Sequence, residues 1–263
     1  MKINTAVLDN LYTELNRRKY VHPDPLEVLY EYPDVRDMEI AGLIAACLAY
    51  GRVTQILISV RKVLGMLGSS PYSFLLETDT RTIAHMARGF KHRFTTDGEL
   101  FSFLSGIKNI LHQYGSLEHC FLSYYTESDD TILPALTGFV RSIRGDGGRY
   151  NSLLPDPSLN SACKRLMLYL RWMARHDAVD PGGWHIPAGK LIIPLDVHMH
   201  RISTLLGLTA RKQADMRTAL EITGAFKSVN TNDPVKYDFA LTRLGIRQDT
   251  DLKSFIEKYG KAA

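Results

Sequence analysis

Helical periodicity runs through most of the chain and constrains its fold more than any other feature. Apolar residues recur every three or four positions, first over residues 7–15 and then in one stretch after another. This spacing places the apolar side chains on one face of an α-helix. Runs that alternate apolar and polar residues, which are typical of strands, are scarce, and residues 191–193 are too few to start a sheet. The sequence therefore predicts an all-α fold.

Turn-forming residues divide this pattern into separate helices. A break with two prolines at residues 22–25 follows the first helix. Within residues 37–67, Gly51 either bends the helix or divides it in two. The glycine-rich segment 144–149 is the clearest interruption by composition. Further helices are predicted at residues 99–114, 117–125, 132–143, 158–175, 194–206, 212–226, 233–244 and 251–259.

Length and charge leave several classes of protein open. With 263 residues, the chain can form one large domain or two lobes that share a cleft. A net charge of +4 permits a polyanionic partner such as nucleic acid without requiring one. We see no signal peptide after Lys2 and no apolar run of about 20 residues that would span a bilayer. We therefore expect a cytoplasmic protein, associated with the nucleoid at most, that does not bind a membrane.

Three cysteines, Cys47, Cys120 and Cys163, lie within apolar helical runs. Their odd number and apolar surroundings predict buried free thiols in a reducing compartment. A four-cysteine iron–sulfur cluster is excluded, because such a cluster needs four thiolates and the chain has three cysteines. The sequence predicts no cofactor.

Lys164 and Asp196 carry the strongest functional signal. Lys164 follows a proline-rich turn near the start of the predicted helix 158–175, and Asp196 follows residues 192–195 at another predicted helix start. A surface lysine and a helix N-cap are the ordinary interpretations of each residue alone. Together, however, an amine and a carboxylate can act as a lyase: the amine attacks a sugar carbon, and the carboxylate stabilises positive charge and moves protons.

The amine attacks only in its neutral form, which burial or nearby positive charge favours. Arg165 and Arg171 lie within two helical turns of Lys164 and can supply that charge. The carboxylate of Asp196 must be ionised to stabilise a sugar that becomes cationic as the base leaves. These requirements are consistent with one another, although each is shared by other kinds of site.

The residues around Lys164 and the segment Pro194-Leu195-Asp196-Val197-His198-Met199 resemble the helix-hairpin-helix superfamily of DNA base-excision glycosylases. The spacing of the two residues, and the segment 184–190 between them, are most similar to the archaeal-type 8-oxoguanine DNA glycosylase/lyases. The resemblance is specific over residues 153–206, the hairpin and catalytic segment. It implies one all-α domain, residues 1–263, with two helical lobes around a DNA-binding cleft.

The resemblance also implies the activity. Lys164 would attack the sugar carbon of a flipped, oxidised purine nucleotide and form a Schiff base, and Asp196 would assist. The partner would be double-stranded DNA with a damaged base, bound by a monomer. Two other segments, residues 48–53 and 233–241, resemble an uncharacterised bacterial family, DUF2400.

The chain departs from the glycosylase pattern at the hairpin. The family's hairpin holds a DNA phosphate with the backbone amides of a Gly-x-Gly turn, whereas residues 155–160 contain two prolines and no glycine. We expect the backbone amides of residues 160–162, at the predicted helix start, to bind the phosphate instead. This expectation makes Asn160 and Ser161 candidate DNA-binding residues.

Other residues are candidates for contact with substrate or DNA. The substrate-binding candidates are Tyr50, Arg52, Gln55, Leu168, Arg171 and Asp238. Tyr50, Arg52 and Gln55 follow the second apolar helix, where related enzymes place pocket residues. Leu168 and Arg171 share a helix face with Lys164, and Asp238 can accept hydrogen bonds from a flipped purine. The remaining phosphate-binding candidates are Lys91, His92, Arg93, His200 and Arg201. A polar helix end, a surface carboxylate or a solvated loop explains several of these residues equally well.

Two alternative functions remain open from the sequence. One is a non-catalytic nucleic-acid-binding protein on the same scaffold, because a fold does not determine a function. The other is a metal-dependent hydrolase that uses Asp196, His198, His200 and His185. We predict no metal site, because residues two apart on a helix point in different directions. Trp172 and Trp184 could stack on a base, but tryptophans more often fill a core.

Overall fold

The computed structural model describes residues 4–145 and 150–246 of the chain, and the all-α prediction is confirmed. The described helices are α1 (Thr5–Leu15), α2 (Val35–Cys47), α3 (Val53–Leu67), α4 (Pro71–Glu77), α5 (Thr80–Ala87), α6 (Asp97–Tyr114), α7 (Leu117–Leu122), α8 (Leu133–Arg144), α9 (Lys164–Ala174), α10 (Val197–Leu205), α11 (Met216–Lys227) and α12 (Asp238–Ile246). Strands β1 (Lys91–His92) and β2 (Thr95–Thr96) form a small antiparallel hairpin. Short 3-10 helices cover Arg18–Tyr20, Pro25–Glu31 and Ala188–Lys190.

The chain divides into two compact units. The inserted unit comprises His22–Ser158, and the terminal unit comprises Met1–Val21 together with Leu159–Ala263. The terminal unit is therefore built from both ends of the sequence. None of the described helices is both long enough and apolar enough to span a membrane.

Helix α2 forms the centre of the inserted unit. Every residue from Glu39 to Cys47 is buried, because this helix is apolar on all sides. Glu39 is the polar exception: its carboxylate accepts hydrogen bonds from the backbone amides of Leu117 and Glu118, at 2.7 and 3.0 Å, and so caps the start of α7. Gly51, with a φ of 101°, lies between α2 and α3. Of the two predicted outcomes for this glycine, a bend in one helix or a division into two, the division is observed.

Helix α6 is fixed at its start by a reciprocal cap. The Thr96 hydroxyl accepts a hydrogen bond from the Glu99 amide, and the Glu99 carboxylate accepts one from the Thr96 amide. Farther along, α6 packs so closely on α8 that a Cβ atom at Gly106 would lie 1.9 Å from the carbonyl oxygen of Ile143. Only glycine fits at this position.

In the terminal unit, α12 packs against both α10 and α1. Asp9 on α1 accepts hydrogen bonds from Lys236 Nζ at 2.6 Å and from the Tyr237 hydroxyl at 2.9 Å, just before α12. These bonds and the buried side chains of α1, which include Leu8 and Leu15, join the two ends of the sequence.

The structure corrects the predicted start of one important helix. Helix α9 begins at Lys164 and not at Ser158. Asp156 makes a local turn by accepting hydrogen bonds from the amide and hydroxyl of Ser158, and Pro157 disfavours helical geometry at the residue before it. Cys163, with a φ of 46°, then precedes the first helical turn.

Other boundaries differ less. Helix α12 begins at residue 238 instead of 233, after a turn, and α11 begins at 216 instead of 212. Helices α4 and α5 and the β-hairpin were not predicted. The predicted helix 251–259 and most of the glycine-rich segment 144–149 lie outside the described residues. All three cysteines are buried and free, as predicted.

Candidate functional site

Lys164 and Asp196 come together in the terminal unit. The distance from Lys164 Nζ to Asp196 Oδ2 is 3.8 Å. The two side chains remain 32% and 24% exposed, so a ligand can reach both groups. Each residue stands at the beginning of a helix, Lys164 as the first residue of α9 and Asp196 immediately before α10. The chain folds so that the two helix starts face each other.

The two oxygens of Asp196 have different partners. Oδ1 accepts hydrogen bonds from the backbone amides of His198 and Met199, both at 2.9 Å, so Asp196 is the N-cap of α10. Oδ2 faces the amine of Lys164. The capping bonds therefore fix the carboxylate while one oxygen stays available for chemistry.

Lys164 follows a strained residue. Cys163 lies in the left-handed region, with a φ of 46° and a ψ of 37°, and it makes no side-chain cap for α9. A non-glycine residue in this region costs roughly 1–2 kcal/mol. Cys163 is buried, so its surroundings impose this conformation. The strain allows α9 to start abruptly with Lys164 at its first position.

Behind this pair lies a buried network of charges. Arg171 on α9 contacts Asp180 at 3.1 Å and also pairs with Asp238, the first residue of α12. Arg175, the C-cap residue of α9, pairs with Asp180 and contacts Asp233 at 2.9 Å. Asp177 also contacts Arg175, at 2.8 Å, and accepts a hydrogen bond from the Tyr12 hydroxyl at 2.8 Å. Acidic residues thus outnumber the two arginines in this network.

Asp238 is a member of this network whose carboxyl is affected by the charge of Asp196 in the candidate site. It is 1% exposed, and its Oδ1 has no hydrogen-bond partner among the described residues. The pKa of the Asp238 carboxyl is raised to about 6, chiefly by burial; Arg171 acts in the opposite direction, and the charge of Asp196 adds to the rise. Burial likewise raises the pKa of Asp180.

These positions correct two predicted roles. Arg171 and Asp238 were expected to contact the substrate, but both are buried and paired with each other. The charged groups on α9 beyond its first turn face protein and not solvent, because acids from three other segments neutralise them. Arg171 and Asp238 belong to the buried network instead. The acids at positions 177 and 180, which complete the network, were missed by the sequence analysis.

The hairpin segment before α9 is also held by partners within its own unit. Ser161 forms an isolated antiparallel bridge with Asp215, and the carbonyl of Asn160 accepts a hydrogen bond from the Met216 amide at 3.2 Å. The Asn160 side chain donates to Asp215 at 3.3 Å, and the Ser161 hydroxyl accepts from the Cys163 amide at 3.3 Å. Residues 160–162 therefore precede α9 instead of forming its first turn, which corrects the predicted arrangement for binding phosphate.

The other candidates on the terminal unit are more exposed. Leu168, one turn after Lys164, is half-buried, and Arg201 on α10 is exposed. His200 contacts the carbonyl oxygen of Arg211 through Nε2, at 2.9 Å. Arg201 is thus open to solvent, whereas Nε2 of His200 is already engaged.

A metal-binding cluster would need three or more histidine, cysteine or acidic side chains to converge. No such cluster is found within residues 4–145 and 150–246. The combination of His185, Asp196, His198 and His200 is therefore not assembled. Trp172 and Trp184 are buried in the core of the terminal unit, where Trp184 packs edge-on against Tyr169 at 5.2 Å.

In the inserted unit, Tyr50 and His92 support the β-hairpin. The Tyr50 hydroxyl donates to the carbonyl oxygen of His92 at 3.0 Å and also bonds to Thr95. His92 is buried, and its ring contacts the Ser59 hydroxyl at 2.8 Å and the Tyr50 carbonyl at 3.1 Å. The predicted phosphate contact by His92 is corrected accordingly, because both ring nitrogens are used inside the protein.

The remaining candidates of this unit point outward. Arg52, Gln55, Lys91 and Arg93 are exposed. Arg93 lies over Gly51, where a Cβ atom would be 2.9 Å from Arg93 Cδ.

Comparison with known proteins identifies the family. Residues 24–247 match the model of a family described as a protein of unknown function, DUF2400. The chain belongs to this family. No curated protein and no solved structure matches it.

The DUF2400 match covers both candidate residues, Lys164 and Asp196, and both segments that resembled this family in sequence, residues 48–53 and 233–241. The predicted resemblance to the uncharacterised family is thereby confirmed. The resemblance to DNA glycosylases stays a prediction, because the description of DUF2400 gives no activity.

Proposed function

We propose that this DUF2400 protein is a DNA glycosylase with β-lyase activity that removes an oxidised purine of the 8-oxoguanine type from double-stranded DNA. The observation that carries the proposal is the 3.8 Å separation of Lys164 Nζ and Asp196 Oδ2. A nucleophilic amine and a carboxylate within contact distance, both open to a ligand, are what such a reaction needs.

The proposed reaction begins with attack on the sugar. Lys164 Nζ forms a bond to C1′ of a flipped nucleotide while the bond from C1′ to the base breaks, and the base leaves with the bonding electrons and takes up a proton. Opening of the sugar ring gives a protonated Schiff base between Nζ and C1′. Loss of a proton from C2′ then expels the 3′ phosphate by β-elimination.

Asp196 is suited to two tasks in this sequence. Its Oδ2 is within reach of the lysine ammonium and can accept the proton that must leave before attack. The same negative charge stabilises the sugar as positive charge develops at C1′. The two backbone amides on Oδ1 hold the carboxylate in place, so little reorganisation is needed during the reaction.

The strain at Cys163 gives further support. Left-handed non-glycine residues cluster at functional sites, where the surrounding structure maintains a costly conformation. Here the strained residue directly precedes the proposed nucleophile. The buried pair of Arg171 and Asp238, behind the site, gives α9 and α12 a fixed relation within the terminal unit.

Borohydride trapping tests this proposal. Wild-type protein should become covalently attached to duplexes that carry 8-oxoguanine or an abasic site, because borohydride reduces the Schiff base to a stable amine. Lys164→Ala should give no adduct, and Asp196→Asn should form it about 100-fold or more slowly. Lys212→Ala is the matched control, because Lys212 is an exposed lysine of the same unit and should trap normally.

Two outcomes would contradict the proposal. One is a wild-type protein that traps on no duplex in a panel of oxidised, deaminated and abasic substrates. The other is Lys164→Ala protein that still traps at the wild-type rate, which would assign the Schiff base to another amine.

A further inference from the structure

An aromatic side chain stands exposed at the tip of the β-hairpin. Phe94 is 59% exposed, although phenylalanine is usually buried. One face of its ring stacks on Tyr50, with a centroid distance of 4.9 Å and an interplanar angle of 21°. The open area of Phe94 therefore includes the opposite face of the ring, which is presented flat to an incoming group.

The hairpin that carries Phe94 is held rigidly. Below its tip, Thr95 is buried, and its hydroxyl bonds to Ser152 at 2.5 Å and to the Tyr50 hydroxyl. His92 is buried opposite Thr95 in the strand register and uses both ring nitrogens on the inserted unit. A two-stranded hairpin is only marginally stable alone, so these buried polar bonds fix its position.

The turn itself is strained. Arg93 has a φ of 54°, which is unfavourable for a residue with a Cβ atom. Its side chain runs over Gly51, the one residue type that leaves room for it. Maintaining this turn places Phe94 at the tip beside the arginine.

Three exposed cationic residues lie on the hairpin or next to Gly51. Arg93 and Lys91 lie on the hairpin, and Arg52 follows Gly51. None of the three forms an ion pair with a residue in the described part of the chain. The carboxylates of the acids that follow the hairpin, Asp97 and Glu99, already accept hydrogen bonds from backbone amides.

We propose that Phe94 is a stacking site for one unpaired base of single-stranded nucleic acid, with Arg93, Lys91 and Arg52 binding the neighbouring phosphates. An open aromatic face accepts any base, and unpaired cations beside it attract the backbone. A peptide partner is a poorer match, because a single flat ring with three cations offers no apolar groove. The site belongs to the inserted unit and is independent of the chemistry proposed for Lys164.

The test is the affinity of the whole chain for a fluorescent oligonucleotide of thymine alone, measured by anisotropy. This probe contains no purine, so it reports binding without the proposed excision. Phe94→Ala should raise the Kd about 5- to 150-fold, and Phe94→Trp should restore affinity. Ile58→Ala, which removes another exposed apolar side chain of the same unit (55% exposed), should leave the Kd unchanged. Arg93→Ala should lower the slope of log Kd against log salt by about 0.7.

The outcomes separate this inference from the proposed function. No binding by wild-type protein, or equal affinities for wild type and Phe94→Ala, would overturn the stacking site even if Lys164 traps DNA. Loss of affinity in Phe94→Ala, with rescue by tryptophan, supports the stacking site even if borohydride trapping fails. Lys212→Ala, at an exposed lysine of the other unit, should bind the thymine oligonucleotide as wild type does.

Discussion

Replacing Asp238 by asparagine should change how the stability of the terminal unit depends on pH. Burial raises the pKa of the Asp238 carboxyl from 3.8 to about 6. The folded state therefore binds this proton more tightly than the unfolded state does. Its contribution to the unfolding free energy is complete below about pH 4 and is lost as the pH rises through about 6. A shift of about two units corresponds to about 3 kcal/mol.

The asparagine variant lacks this titration. Its amide can keep an oxygen toward Arg171 and turn its NH₂ group toward the position of the unpartnered Oδ1. The unfolding free energy of wild type minus that of Asp238→Asn should therefore fall by about 3 kcal/mol between about pH 4 and pH 7.

Urea denaturation followed by tryptophan fluorescence measures this difference. Both tryptophans of the chain, Trp172 and Trp184, are buried in the terminal unit and report its unfolding. Asp177→Asn is the control: the pKa of Asp177 is lowered to about 2, so its contribution is present above about pH 4 and is lost only as the pH falls toward 2. The control difference should stay constant over the same range. A constant difference for Asp238→Asn as well would refute the burial argument.

Two further predictions concern packing and buried charge. Gly106→Ala should lower the unfolding free energy by about 1–3 kcal/mol or more, because the added Cβ would lie 1.9 Å from the carbonyl oxygen of Ile143; urea titration followed by circular dichroism measures this. The control Gly65→Ala, on an open helix face, should raise the unfolding free energy by about 0.5–1 kcal/mol. Equal effects of the two substitutions would contradict the close packing of α6 on α8. Arg175→Ala should cost about 3–5 kcal/mol by tryptophan fluorescence, because buried acids lose their partner. Arg217→Ala, at an exposed arginine of the same unit, should leave the unfolding free energy almost unchanged. A similarly small loss for Arg175→Ala would show that the buried network contributes little.

The sequence predicted most helices because their apolar spacing is local information. Helix α6 shows this clearly, since its apolar stripe and its Thr96–Glu99 cap are both readable from neighbouring residues. The two interpretations of Asp196, N-cap and partner of a lysine, both apply, because a carboxylate has two oxygens. Two-residue strands are too short for any alternation to appear, so the hairpin could not be predicted.

The supporting network could not be read in the same way. Arg171 and Asp238 are 67 residues apart, and nothing local indicates that they pair in the core. Because Arg171 shares a helix face with Lys164, it was predicted to bind substrate, but acids from distant segments pair with it in the core. The stacking of Phe94 on Tyr50 likewise joins two residues that are distant in sequence, so no local pattern indicates it.

The terminal unit is assembled from the first and last parts of the chain, and this has a consequence during synthesis on the ribosome. Helix α1 is translated well before α12, against which it packs. Until then the apolar side chains of Leu8, Leu11 and Leu15 lack their final neighbours. Residues 22–158 have all their sequence available much sooner. Nascent chains stalled before α12 should therefore protect the inserted unit from protease while leaving α1 open to cleavage or to a chaperone.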